Sequence, residues 1–141
     1  MRVRIEWLWI VGFVGMNVAA NAQTPSPLTA GAAFDGTYGL VSSAKLNETY
    51  VSRGGTTGYC PGRTPGALTI TQNRAQYTAE TGLQVEGTIG ANGQLTMRSV
   101  GPGPTRPVEV QVSGSVDRSG AVRVRQRGNS CSYDFVWQKR S

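Results

Sequence analysis

Three arginines, Arg123, Arg125 and Arg127, alternate with Val122, Val124 and Gln126 near the end of a 141-residue chain. Period-two alternation puts the three guanidinium groups on one face of a strand. A guanidinium meets phosphate or sulfate oxygens in two-pronged fashion, so such a comb can grip an oxyanion. The same pattern also serves as a solvated basic face. Other reactive sets are thin. The chain has no His, which removes Ser-His-Asp and Cys-His catalysis and the usual zinc hydrolase sites. Ser42-Ser43-Ala44-Lys45 fits S-x-x-K. That motif works when its Ser opens a helix opposite a second Lys-containing motif; here the stretch reads as a strand and no K-T-G occurs. Glu86 and Asp134 each have an arginine as the expected outward partner. Nothing marks two of the other carboxylates as a glycosidase acid and base. There is no P-loop, no dinucleotide-binding glycine motif and no zinc spacing. The residues predict a protein that is not an enzyme and call for no cofactor or metal.

The start of the chain bears on the compartment. Arg2 and Arg4 are basic, Trp7 to Val14 is apolar except for Gly12, and Ala20-Asn21-Ala22 is a small-x-small site. This is the layout of a secretory signal peptide, residues 1–22, with cleavage before Gln23. The apolar run is shorter than the roughly 20 residues a membrane span needs, so no transmembrane segment is expected in the mature chain. No Cys stands at the cleavage point for acylation. A periplasmic or secreted location is oxidising, and the two cysteines, Cys60 and Cys131, are then expected to form a disulfide. A bridge across about 70 residues stabilises by about 4 kcal/mol in the chain-entropy account.

The net charge is +6, which favours an anionic envelope polymer as a partner, or a protein. Nucleic acid is excluded by export and by the lack of aromatics between the arginines on which bases could stack. Residues 23–33, QTPSPLTAGAA, read as a flexible leader. Residues 34–141 read as a single all-β domain.

The elements that would hold the arginines come from a repeat. VEGTIGANGQLTMR (85–98) and VSGSVDRSGAVRVR (112–125) match in chemistry at an offset of 27. Apolar residues alternate with polar ones on each side of a short polar turn, the mark of a hairpin with one wet face. Gly93 and Gly120 fall where a three-residue hairpin loop needs a left-handed residue. That turn predicts Ile89 opposite Leu95, Glu86 opposite Arg98 and Val116 opposite Val122. A fainter copy puts Gly66, Leu68 and Ile70 in line with Gly93, Leu95 and Met97, with Thr64-Pro65-Gly66 as its turn.

Further strands are predicted at 38–44, 67–71 and 75–79 and around Val108, Val110 and Val112. The last strand carries Cys131, Tyr133, Phe135 and Trp137 on its inner face and is expected to anchor the core. Its expected register sets Val124 opposite Tyr133, Val122 opposite Phe135, Trp137 near Gly120, and Arg123 opposite Asp134. The total is about eight short antiparallel strands in a meander, forming a small barrel or curved sheet. Two segments break the rhythm: 47–66, Gly-rich and holding Cys60, and 101–107 with its three prolines.

FDGTY (34–38), the Cys before PGRTPGALTI, EGTIGANGQLTMR and the terminal CSYDFVWQKR resemble a group of small exported bacterial proteins. The resemblance covers nearly all of residues 34–140. It implies the all-β fold and the Cys60–Cys131 pairing and brings no activity with it. Small periplasmic lysozyme inhibitors are a looser comparison, similar in export, size and all-β class; a clear match to their motif is missing, and a basic chain suits a basic lysozyme poorly. The expected function is therefore a binding or structural component of the bacterial envelope with affinity for anionic ligands. The alternative is a periplasmic protein inhibitor acting through the 47–66 loop.

Overall fold

The computed structural model describes residues 33–103 and 106–140. The expected signal peptide (1–22) and nearly all of the expected leader lie outside the described residues. Ten strands follow in order: β1 Gly36–Lys45, β2 Thr49–Val51, β3 Thr57–Tyr59, β4 Leu68–Thr71, β5 Arg74–Thr78, β6 Gln84–Ile89, β7 Gln94–Gly101, β8 Val108–Val116, β9 Ala121–Arg127 and β10 Ser132–Lys139. Eight of them close into an antiparallel barrel in the order β1-β10-β9-β8-β7-β6-β5-β4. From β4 to β10 each strand pairs with the next, and β1 seals the gap between β10 and β4. Closure leaves no open edge in the main sheet. The small β2–β3 ribbon is inserted in the long connection from β1 to β4.

Alternation of apolar and polar residues puts one set of side chains inside the barrel. Leu68, Ile70, Tyr77, Val85, Leu95, Met97, Val112, Val122, Phe135 and Trp137 are all buried there. The aromatic residues of β10 make the anchor that its pattern predicts. Trp137 lies 5.2 Å from the Tyr77 ring and 5.5 Å from Phe135, and Phe135 stacks on Tyr133 at 5.9 Å. An eight-stranded barrel is just wide enough for such side chains to fill it.

Both repeat hairpins fold in the expected register. Ile89 faces Leu95 and Glu86 faces Arg98, and Val116 faces Val122. Gly93 and Gly120 have φ of 84° and 85°, the left-handed region that the turn requires. The repeat has a second cause. At Gly87 an added Cβ would lie 1.9 Å from the Thr96 carbonyl oxygen, and at Gly114 it would lie 2.0 Å from that of Arg123. Each hairpin therefore needs a glycine where the curving barrel brings the neighbouring backbone close.

Three expectations are corrected. The Thr64-Pro65-Gly66 stretch is not a hairpin turn. It belongs to an extended strap, residues 60–67, whose Gly66 amide donates to the Thr78 carbonyl at 2.9 Å. Proline at that turn position is unfavourable, and the chain upstream is taken by β2–β3 pairing. The β9–β10 hairpin keeps the expected inward faces but is shifted by two residues: Phe135 faces Val124, Trp137 faces Val122, and Asp134 faces Arg125. The connection closes tightly at Gly128–Cys131, where the Gly128 amide donates to the Cys131 carbonyl at 2.9 Å. A shift of two preserves parity, so the apolar pattern alone could not detect it. The third correction concerns Glu86. It faces Arg98 across the ladder, but the Arg98 guanidinium reaches Glu109 on the other side, at 3.3 Å.

Candidate ligand site at the barrel mouth

The two ends of the barrel differ because their connections differ. One end carries only tight turns: 72–73 between β4 and β5, 90–93 between β6 and β7, and 117–120 between β8 and β9. The other end carries the longer connections, 46–67, 79–83 and 102–107, together with the tight 128–131 turn. Both segments that break the strand rhythm in sequence therefore meet at one rim. Barrel mouths with long loops are common ligand sites.

Several bonds hold that rim. Cys60 and Cys131 form the expected disulfide, with S–S 2.11 Å and Cα–Cα 5.6 Å. Asn47 works beside it. Its Nδ2 donates to the Ser130 carbonyl at 2.9 Å and its Oδ1 accepts the Ser132 amide at 2.9 Å. The Asn47 side-chain amide is thus engaged inside the fold. The strap is held from within the barrel: the Tyr133 hydroxyl donates to the Pro61 carbonyl at 2.7 Å, and the Trp137 indole donates to the Gly66 carbonyl at 3.0 Å. Across the rim, the Asn129 amide donates to the Pro107 carbonyl at 3.0 Å.

Inside the rim is a cavity of ≈ 440 Å³. Its walls are mainly apolar, from Pro65, Ala79, Leu83, Val108, Val110 and Phe135, with Arg63 and Glu80 at its border. Gln126 also lines it. It is the buried polar residue of the barrel, 8% exposed, and it accepts a short hydrogen bond from the Tyr77 hydroxyl. Burial pushes the Tyr77 phenol up, so it stays protonated as the donor. The outer lip is aromatic. Tyr59 is 79% exposed. Tyr50 lies over Gly58, where an added Cβ would come within 2.3 Å of the ring. That glycine lets the ring lie flat across the ribbon at the mouth.

The arginine comb is on the outer wall of β9, its side chains pointing away from the cavity, with Arg127 at the rim end of the strand. Arg123, Arg125 and Arg127 all project into solvent, as their spacing predicts. The register shift changes their electrostatics. Asp134 holds the middle one, Arg125, in two-pronged fashion, with Nε–Oδ1 2.9 Å and Nη2–Oδ2 3.2 Å. Arg123, the expected partner of Asp134, instead faces Val136 and Ser115. Among the described residues Arg123 and Arg127 enter no ion pair, and they are four residues apart, about 13 Å along the strand. An oxyanion placed between them would lie over the Arg125–Asp134 pair, whose carboxylate repels it.

Sequence reasoning passed over Gln126 and Tyr50. The signal for Gln126 was a polar residue at an inward position of the Val122-Val124-Gln126 face. Tyr50 has no such signal, because only the fold brings its ribbon to the mouth. Among the described residues no group of three His, Cys, Asp or Glu side chains could hold a metal ion, and no helix is long and apolar enough to cross a membrane. No protein family, curated protein or solved structure matches this chain.

Proposed function

We propose that this chain is an exported, non-enzymatic binding module of the bacterial envelope that takes a small, largely apolar ligand in the loop-bearing mouth of its barrel. The observation that carries the reading is the ≈ 440 Å³ cavity between the rim loops and Phe135. Its apolar walls favour a water-excluded ligand body, and its few polar groups can orient it. The disulfide and the Asn47 bonds preorganise the rim, which reduces the ordering penalty of binding. An uncharged fluorescent apolar probe, N-phenyl-1-naphthylamine, should bind with one-to-one stoichiometry and enhanced emission. Val110→Trp, which fills the cavity floor, should abolish that binding while circular dichroism shows the barrel intact. Emission unchanged by the folded wild-type protein would defeat the reading.

A protein inhibitor acting through the 47–66 segment is a second reading. Val51, on the β2–β3 ribbon, is 72% exposed beside the exposed Tyr59. Val51→Asp should then dissolve a stoichiometric complex with a purified periplasmic target while leaving probe binding at the mouth unchanged.

A further inference from the structure

Beside the mouth runs a groove between the tip of the β2–β3 ribbon and the opposite rim, bordered by Arg53 and Arg106. No carboxylate lines it. Of the acidic side chains on the rim and outer wall, Glu48 pairs with Lys45 at 2.6 Å, Glu109 with Arg98 at 3.3 Å and Asp134 with Arg125 at 2.9 Å, while Glu80, at the border of the cavity, accepts from the Thr64 amide at 2.9 Å. Among the described residues Arg53 and Arg106 enter no ion pair. The groove and the cavity are continuous, because Tyr50, Asn129 and Ser130 line both. An apolar chamber thus opens onto a cationic, hydrogen-bonding shelf.

We infer that chamber and shelf form one site for an anionic amphiphile, with its apolar body in the mouth and its oxyanion head between Arg53 and Arg106. The inference rests on the mouth-binding reading above and adds the charge and the polarity of the ligand. Three features support this orientation. Guanidinium groups match carboxylate and phosphate oxygens geometrically and stay charged at any physiological pH. The comb on the outer wall is the poorer place for the head, since the Asp134 carboxylate is paired with its central arginine and repels an anion there. Asn129 and Ser130 add neutral polar groups beside the head position.

The test compares two probes of the same ring system in the full chain with its disulfide formed. N-phenyl-1-naphthylamine is uncharged, and 8-anilino-1-naphthalenesulfonate carries one sulfonate. The charged probe should bind about tenfold more tightly, the scale of charge-assisted hydrogen bonds at a partly exposed site. Arg53→Gln/Arg106→Gln should erase that advantage and leave the uncharged probe's affinity unchanged. Arg123→Gln/Arg127→Gln removes the same net charge from the outer wall and should leave both affinities nearly unchanged. Laurate and dodecyl phosphate should displace the charged probe at lower concentration than dodecanol, and the better of the two assigns the head as carboxylate or phosphate. If neither probe binds, the mouth reading itself falls. If the uncharged probe binds but the charged one binds no tighter, the head-group inference is overturned while the mouth reading stands. The head-group inference is likewise overturned if the comb variant, rather than the Arg53/Arg106 variant, removes the advantage.

Discussion

Single residues set the curvature and the turns of this barrel. Gly114 sits inside the β8–β9 hairpin, where a Cβ would lie 2.0 Å from the Arg123 carbonyl oxygen and 2.7 Å from the Val124 Cα. Both are backbone atoms, so no flexible side chain can yield. Gly114→Ala should therefore destabilise by about 1–3 kcal/mol, measured by denaturant unfolding, and Gly87→Ala should match it. A cost near zero at both would show that the close backbone approach at these strand glycines does not require them. Asp117 gives a pH signature. Its carboxylate accepts from the Ser119 hydroxyl at 2.5 Å and the Ala121 amide at 3.0 Å, and these bonds hold its pKa below the usual carboxylate value. A carboxylate with a lowered pKa in the folded state contributes stability above its unfolded pKa and loses it as pH falls through the folded pKa. The wild-type melting temperature should exceed that of Asp117→Asn at pH 6, and the gap should close between about pH 5 and pH 2. A gap that stays constant into acid would remove the charge from the account of this turn.

The strands and the rim segments obey different rules. The strands follow alternation, and their interior faces were legible in sequence because each apolar residue recurs every second position. The rim segments were legible only as interruptions. Their conformation comes from bonds distant in sequence: Asn47 to Ser130 and Ser132, Tyr133 to Pro61, Trp137 to Gly66. The disulfide acts on these segments, since Cys60 lies at the start of the strap and Cys131 at the β9–β10 turn. Cys60→Ala/Cys131→Ala should reduce stability by about 2–4 kcal/mol. Hydrogen exchange should accelerate most in residues 46–67, with β6 to β9 the least affected. Uniform acceleration across the barrel would mean that the bridge supports the core and not the rim. The β9–β10 register shows the limit of element-level inference. Alternation fixes which side chains point inward, but the length of the tight connection sets the pairing, and it moved Asp134 from Arg123 to Arg125.

At the scale of the whole molecule, the barrel has one dense core and one open end. Trp137 is completely buried and is the only tryptophan after residue 22. Its contact with Tyr77 and Phe135 links β10 to β5 across the interior. For protein lacking residues 1–22, tryptophan emission should therefore report global unfolding and coincide with the far-ultraviolet circular dichroism transition. Separate midpoints would show that the sheet survives loss of the aromatic core. The sequence by itself determined the all-β class, the two repeat hairpins with their registers, the inward residues and the cysteine pair. Those features are local, or follow from parity and from there being only two thiols. Only the tertiary structure decided that the barrel closes, because closure depends on β1 meeting both β10 and β4, a pairing between chain ends that no local pattern encodes. Closure also gathers Arg53, Tyr50, Arg106 and Gln126 at one mouth and leaves the more conspicuous arginine comb on the outer wall. Residues far apart in the chain become neighbours there because the long connections all emerge at the same end of an up-and-down meander.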